Sequence, residues 1–66
     1  MYRLKQDMKK DLKNRYKEDE IASQVHMSRG FVSEILNGHK CTYVSAYVLV
    51  KNRDLQANVE DYFDII

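Results

Sequence analysis

The chain of 66 residues has no proline, two glycines and one cysteine. Without Pro, and with Gly only at positions 30 and 38, the turn chemistry of hairpins and sandwiches is nearly missing, which points to an all-α chain. The single cysteine, Cys41, excludes an internal disulfide and a cysteine zinc cluster, and it fits a reducing, intracellular setting. No apolar run approaches the roughly 20 residues that a membrane span requires. The N-terminal stretch MYRLKQDMKKDLKNRYK is charged throughout and lacks the apolar core of a signal peptide. A cytoplasmic protein without membrane contact is the expectation. A Gly-rich phosphate loop, a carboxylate pair in an evident cleft and a Ser-His-Asp arrangement are also missing. Neither enzymatic activity, nor a small-molecule substrate, nor a cofactor is expected. His39 and Cys41 stand two apart, but no third or fourth ligand is nearby, so no metal site is expected.

What is present describes one small domain over residues 1–66. A chain of this size buries only about 60% of its unfolded surface, so a second source of stabilisation such as dimerisation is in keeping with it. Hydrophobic residues make up 44% and charged residues 32%, too apolar for a disordered chain. The net charge is only +1, but it is unevenly spread. Residues 1–17 carry seven Lys/Arg against two Asp, whereas residues 18–41 and 42–66 each carry two basic against four acidic groups. The chain is not globally basic, so any affinity for nucleic acid depends on where the positive groups are placed.

Leu4, Met8, Leu12 and Tyr16 recur every four residues beside Lys5, Lys9, Lys13 and Lys17, which predicts an amphipathic first helix over roughly residues 2–15. Asn14 is the one plausible terminator. Glu18, Asp19 and Glu20 suit the positive end of a helix dipole and open a second helix over about 18–25, with Ile21, Ala22 and Val25 apolar. Tyr16 and Ile21 have the separation of a hydrophobic staple around Lys17. After His26 and Met27, Ser28 is a strong N-cap for a third helix over about 29–36, with Val32, Ile35 and Leu36 inward. Asn37-Gly38 stops it, since Gly38 takes positive φ without cost. Thr42 caps a fourth helix carrying Val44, Tyr47, Val48 and Val50 and ending near Asn52-Arg53. Asn58 caps a short last helix carrying Val59, Tyr62 and Phe63.

Two helices of about eight residues joined by a three-residue turn have the dimensions of a helix-turn-helix. The span from Glu18 to Gly38 resembles the helix-turn-helix of the lambda-repressor/Cro-like family of small phage and plasmid regulators. The small Ala of that family falls on Ala22, its apolar positions on Ile21, Val25, Met27, Val32 and Ile35, and its closing Asn-Gly on Asn37-Gly38. One helix before and two after match the five-helix layout, so the resemblance covers nearly the whole chain. It implies an all-α, compact five-helix lambda-repressor-like domain with the helix-turn-helix at about 18–36. Two positions depart from the pattern. His26 stands where Gly is usual, in a left-handed conformation that His tolerates better than most. Glu18 stands where a phosphate-contacting Gln is frequent.

The resemblance also implies which residues meet DNA. The N-terminal part of the third helix enters the major groove and the second helix lies across the backbone. Arg29, with two hydrogen bonds to offer guanine, Gly30, which allows close backbone approach, Ser33 and Glu34 are the candidate base contacts. Ser28, Asn37, His39, Lys40 and Tyr43 are the candidate phosphate contacts. Blander roles stand beside these. Arg29 and Glu34 also suit a solvated surface, Phe31 suits either core or a thymine methyl, and the lysines of the first helix suit a solvated face with long-range attraction for DNA.

The expected function is that of a transcriptional regulator binding a palindrome-like operator as a homodimer, at least on DNA, and blocking polymerase. The word repressor comes from the resemblance alone. The length matches a bare DNA-binding domain with no ligand-sensing part, which suits a Cro-like phage regulator. The C-terminal cluster Tyr62, Phe63, Ile65 and Ile66 is the expected dimer contact, because Tyr62 and Phe63 cannot both face inward on one helix. Two rivals share the fold: an antirepressor or modulator that binds another regulator, and the antitoxin of a toxin–antitoxin pair.

Overall fold

The apolar patterns over 18–25 and 29–36 fold into helices with those bounds. A computed structural model describes residues 1–13 and 17–66, in the order β1 (Tyr2–Leu4), a 3-10 turn (Gln6–Met8), α1 (Lys9–Lys13), α2 (Glu18–Val25), α3 (Arg29–Leu36), α4 (Tyr43–Arg53), α5 (Val59–Tyr62) and β2 (Phe63–Ile65). The fold is mostly helical, with one small sheet. Among the described residues, no helix is long and apolar enough to cross a membrane.

The sheet corrects the expectation of an all-α chain. β1 and β2 pair antiparallel, Tyr2 opposite Ile65, Arg3 opposite Asp64 and Leu4 opposite Phe63. On its other side Tyr2 exchanges both backbone hydrogen bonds with Cys41 at 2.8 Å. A helix beginning at residue 2 would leave its first amides without partners. As a strand, the same segment has partners on both sides. The first helix therefore begins at Lys9, not at residue 2, and the described residues follow it as far as Lys13. Leu4 and Leu12 still reach the core and Met8 packs against it, one from a strand and two from helical turns. The expected terminator Asn14, and Tyr16 with its staple to Ile21, lie outside the described residues.

The caps follow the sequence closely. The Ser28 hydroxyl accepts from the Phe31 amide at 3.1 Å and the Thr42 hydroxyl from the Ser45 amide at 3.3 Å. Glu20 accepts from the Lys17 amide at 3.3 Å. At α5, Asp61 closes the first turn by accepting from the Asn58 amide at 2.9 Å. Gly38 adopts φ 97° and His26 adopts φ 59°, the left-handed conformation anticipated at both positions.

α2 packs against α3 and α4, with Ala22 buried among them. α4 presents a different face from the one its valines suggest. Val50 is buried and Val48 half-buried, but Val44 and Tyr47 are exposed, and Ala46 and Leu49 take the inward positions. Tyr62 and Phe63 are both buried, at 5% and 1% exposure, because the chain changes from helix to strand between them. The premise that consecutive residues cannot both point inward holds within a helix and fails at such a junction.

Candidate nucleic-acid interface

Ser28 places the start of α3 at the surface and leaves its own hydroxyl proton free to donate, since capping uses the oxygen only as an acceptor. From there the helix divides cleanly. Val32, Ile35 and Leu36 are buried, while Gly30, Ser33, Glu34 and Asn37 fall at i, i+3, i+4 and i+7 on the opposite face. Arg29 and Phe31 form the two shoulders of that stripe, and both are exposed. The core role for Phe31 is thereby excluded.

Around Gly30 there is open space, because a Cβ built there would meet nothing within 4 Å. Glycine costs up to about 1 kcal/mol relative to alanine inside a helix, and less in the first turn where Gly30 stands. Packing within the chain gives no reason for that cost, whereas close approach of a ligand to the helix backbone would.

The other expected contacts gather at the far end of α3. Asn37 donates to the Ser33 hydroxyl at 3.4 Å. His39 Nδ1 stands 3.8 Å from the Glu34 carboxylate, so the acid expected to read a base has a neighbour within its own chain. Lys40 is exposed. Tyr43 is half-exposed in a row of rings, 5.5 Å from Tyr2 and 5.9 Å from Tyr47 by centroid, with Lys51 Nζ 5.5 Å above Tyr47. Cys41 is buried beside this cluster. Burial pushes its thiol upward, only partly offset by the N-terminal ammonium, so it stays protonated and unreactive at neutral pH.

Two residues join the cluster that the sequence did not place among the phosphate contacts. Arg3 Nε donates to the Gly38 carbonyl at 3.0 Å, and Lys9 Nζ donates to Asn37 Oδ1 at 2.8 Å. Only their membership of the basic segment hinted at this, since the contacts span 35 and 28 residues of sequence.

Of the expected dimer contacts, Ile65 and Ile66 are exposed, at 69% and 48%, whereas Tyr62 and Phe63 belong to the monomer core and are withdrawn from that surface. No family model matches the chain, and neither a curated protein nor a solved structure does.

Proposed function

We propose that this chain is a sequence-specific DNA-binding regulator of the lambda-repressor/Cro-like kind, with α2 and α3 as its helix-turn-helix. The observation that carries the reading is the solvent-facing stripe of α3. It is a short capped helix, held by its apolar face and presenting Gly30, Ser33 and Glu34 beside Arg29. The major groove is about 12 Å wide and takes one helix in this way, with Arg29 donating to guanine and Glu34 accepting from cytosine. Asn37 at the end of the stripe and Ser28, His39, Lys40 and Tyr43 around it are the phosphate donors in this reading. Selection from random duplex DNA tests the proposal, with enrichment of a palindrome-like site as the expected result. Failure to enrich any sequence, with no salt-dependent retardation of duplex, overturns it.

The partner in this reading is a second copy paired through β2. Because Tyr2 turns its backbone groups to Cys41, the next residues turn theirs to β2, where Ile66 donates to the Met1 carbonyl at 2.9 Å and Lys5 to Tyr62 at 2.8 Å. The Ile65 amide and carbonyl then point outward and have no partner among the described residues. An open edge of this kind is a template for another strand. A two-fold axis at Ile65 pairs that residue with itself. From one Cys41 to the other is then five strand spacings, about 24 Å. With an α3 beyond each flank, the two reading helices stand further apart than this, in the direction that half-sites one DNA turn apart, about 34 Å, require.

The exposed row of Tyr43, Val44 and Tyr47 favours a second reading, a module that binds another regulator protein. The three carboxylates in the first turn of α2 point the same way, because they repel phosphate. A gel shift across a salt series separates the two, since DNA affinity falls steeply with salt and a protein-binding module retards little DNA.

A further inference from the structure

The basic segment is tied to the α3–α4 loop by contacts that leave its charge unneutralised. Arg3 and Lys9 are held by neutral acceptors, the Gly38 carbonyl and the Asn37 amide oxygen. Among the described residues no carboxylate lies within 4.0 Å of either cation, whereas Lys5, Arg53 and His39 stand against Asp64, Asp11 and Glu34. Arg3 is anchored through Nε alone, so the two terminal nitrogens of its planar fork keep their hydrogens for an anion. Lys9 keeps two of its three donors.

The segment also sits tightly on the loop. Gly38, at φ 97°, leaves only 3.4 Å between a hypothetical Cβ and Gln6 Nε2, and that amide donates in turn to the Leu4 carbonyl. Strand, 3-10 turn and loop thus form one surface, on which Arg3, Lys9, His39 and Lys40 are neighbours in the fold. Eight residues of α3 span about 12 Å, the width of the major groove. When Arg29 at one end meets base edges, the loop at the other end lies over the wall of the groove, where the phosphates are.

We propose that Arg3 and Lys9, together with Lys40, form a clamp for a backbone phosphodiester at the C-terminal end of α3. The proposal rests on the DNA-binding reading and assigns a role to two residues outside the helix-turn-helix. It also places the compensation for the acidic first turn of α2, since the phosphate contacts denied there are made by the basic segment instead. A purely structural role for the same side chains is to complement the negative end of the α3 dipole. That role needs no ligand and does not respond to salt in the same manner.

The test measures equilibrium binding of the full chain to its selected site and to a non-specific duplex over a salt series. The variants are Arg3→Gln, Lys9→Gln and the charge-preserving Arg3→Lys. Each glutamine variant is expected to weaken both duplexes by the same factor and to flatten the slope of log K against log salt by about 0.9 for each phosphate no longer neutralised. One such phosphate corresponds to about an eightfold weakening at 0.1 M relative to 1 M salt. Arg3→Lys is expected to restore most of the slope, which also separates loss of charge from loss of fold. An unchanged slope in variants that bind, with Arg29→Ala still losing specificity, overturns the clamp and leaves the DNA-binding reading standing. A wild-type chain that binds no duplex at any salt overturns both.

Discussion

Tyr62, the last residue of α5, donates its phenolic hydrogen to a carboxylate oxygen of Asp11 on α1, 51 residues earlier in the chain. Arg53, at the end of α4, holds the same aspartate, with Nε on its carbonyl at 2.7 Å and a terminal nitrogen 3.4 Å from its carboxylate. Burial pushes the Tyr62 hydroxyl up to about 12 from an ordinary 10, with the Asp11 hydrogen bond and charge adding to it and Arg53 partly opposing. A raised pKa means that the fold favours the protonated phenol. Its contribution is fully present below pH 10 and is lost as pH rises through about 12. Tyr62→Phe should therefore cost about 1.5–3 kcal/mol at neutral pH, the range for a hydrogen bond to a charged group. The variant should also lose less stability than the wild type between pH 10 and 12. Urea melts at pH 7 and across the alkaline range check this, and parallel curves for the two proteins would contradict it.

Gly30 separates a demand of the fold from a demand of function. Replacing it with alanine relieves a glycine in the first turn of α3 and meets no neighbour, so Gly30→Ala should stabilise the domain by up to about 0.5–1 kcal/mol, the range for a glycine further inside a helix. The same methyl would stand between the α3 backbone and the floor of a groove, so DNA affinity should fall while melting temperature rises. Equal or better binding by the stabilised variant would show that α3 does not approach DNA along this face.

Arg29→Ala should cost roughly 1–3 kcal/mol on the selected site and relax preference at one base pair. Lys40→Ala should instead weaken all duplexes alike and flatten the salt dependence. Competition binding against single-base variants of the site measures both effects. Unchanged specificity in a folded Arg29→Ala protein would remove it from the base contacts.

Ala22 is buried where α2 packs on α3 and α4, and its carbonyl also accepts from Met27 at 3.0 Å in the turn that follows. A larger side chain there pushes the helices apart, an overpacking that costs about 1–3 kcal/mol. Ala22→Leu should lower melting temperature and DNA binding together, as read by circular dichroism and gel shift. Loss of stability with binding intact would mean that the spacing of the two helices is not what the DNA senses.

Ile65→Lys tests the edge pairing without disturbing the sheet, because the side chain is exposed and the outward backbone groups carry no bond among the described residues. In the two-fold arrangement it sets two like charges opposite one another, which is destabilising. Analytical ultracentrifugation should show weaker self-association, and binding to a full site should fall more than binding to a half-site. Retained cooperativity would place the dimer surface elsewhere. Deleting residues 64–66 is a poorer experiment, since Ile66 also bonds Met1 within the protomer.

The local signals in this sequence determined α2, the turn, α3 and the start of α4. Ser28, Thr42, Asn37-Gly38 and the 3.6-residue spacing of Ile21, Val25, Val32 and Ile35 act through groups within one or two turns of one another. A short-range reading therefore reaches them. The exposed stripe on α3 was legible for the same reason, as the complement of its apolar face.

Only the tertiary structure decided the two ends. Leu4, Met8 and Leu12 have helical spacing, but β1 is settled by Cys41 on one side and β2 on the other, and those partners lie tens of residues away. The apolar-polar-apolar order of Phe63, Asp64 and Ile65 was present as a strand signal, but three residues are too few to outweigh the helix that precedes them. The valines of α4 misdirected its facing because the helix, packed among α1, α2 and α5, turns Ala46 and Leu49 inward and leaves Val44 to solvent. Arg3 and Lys9 reached the loop after α3 by the same route as β1. Their charge was visible in the sequence, and their place was set by the backbone pairing that brings the N-terminus beside Cys41.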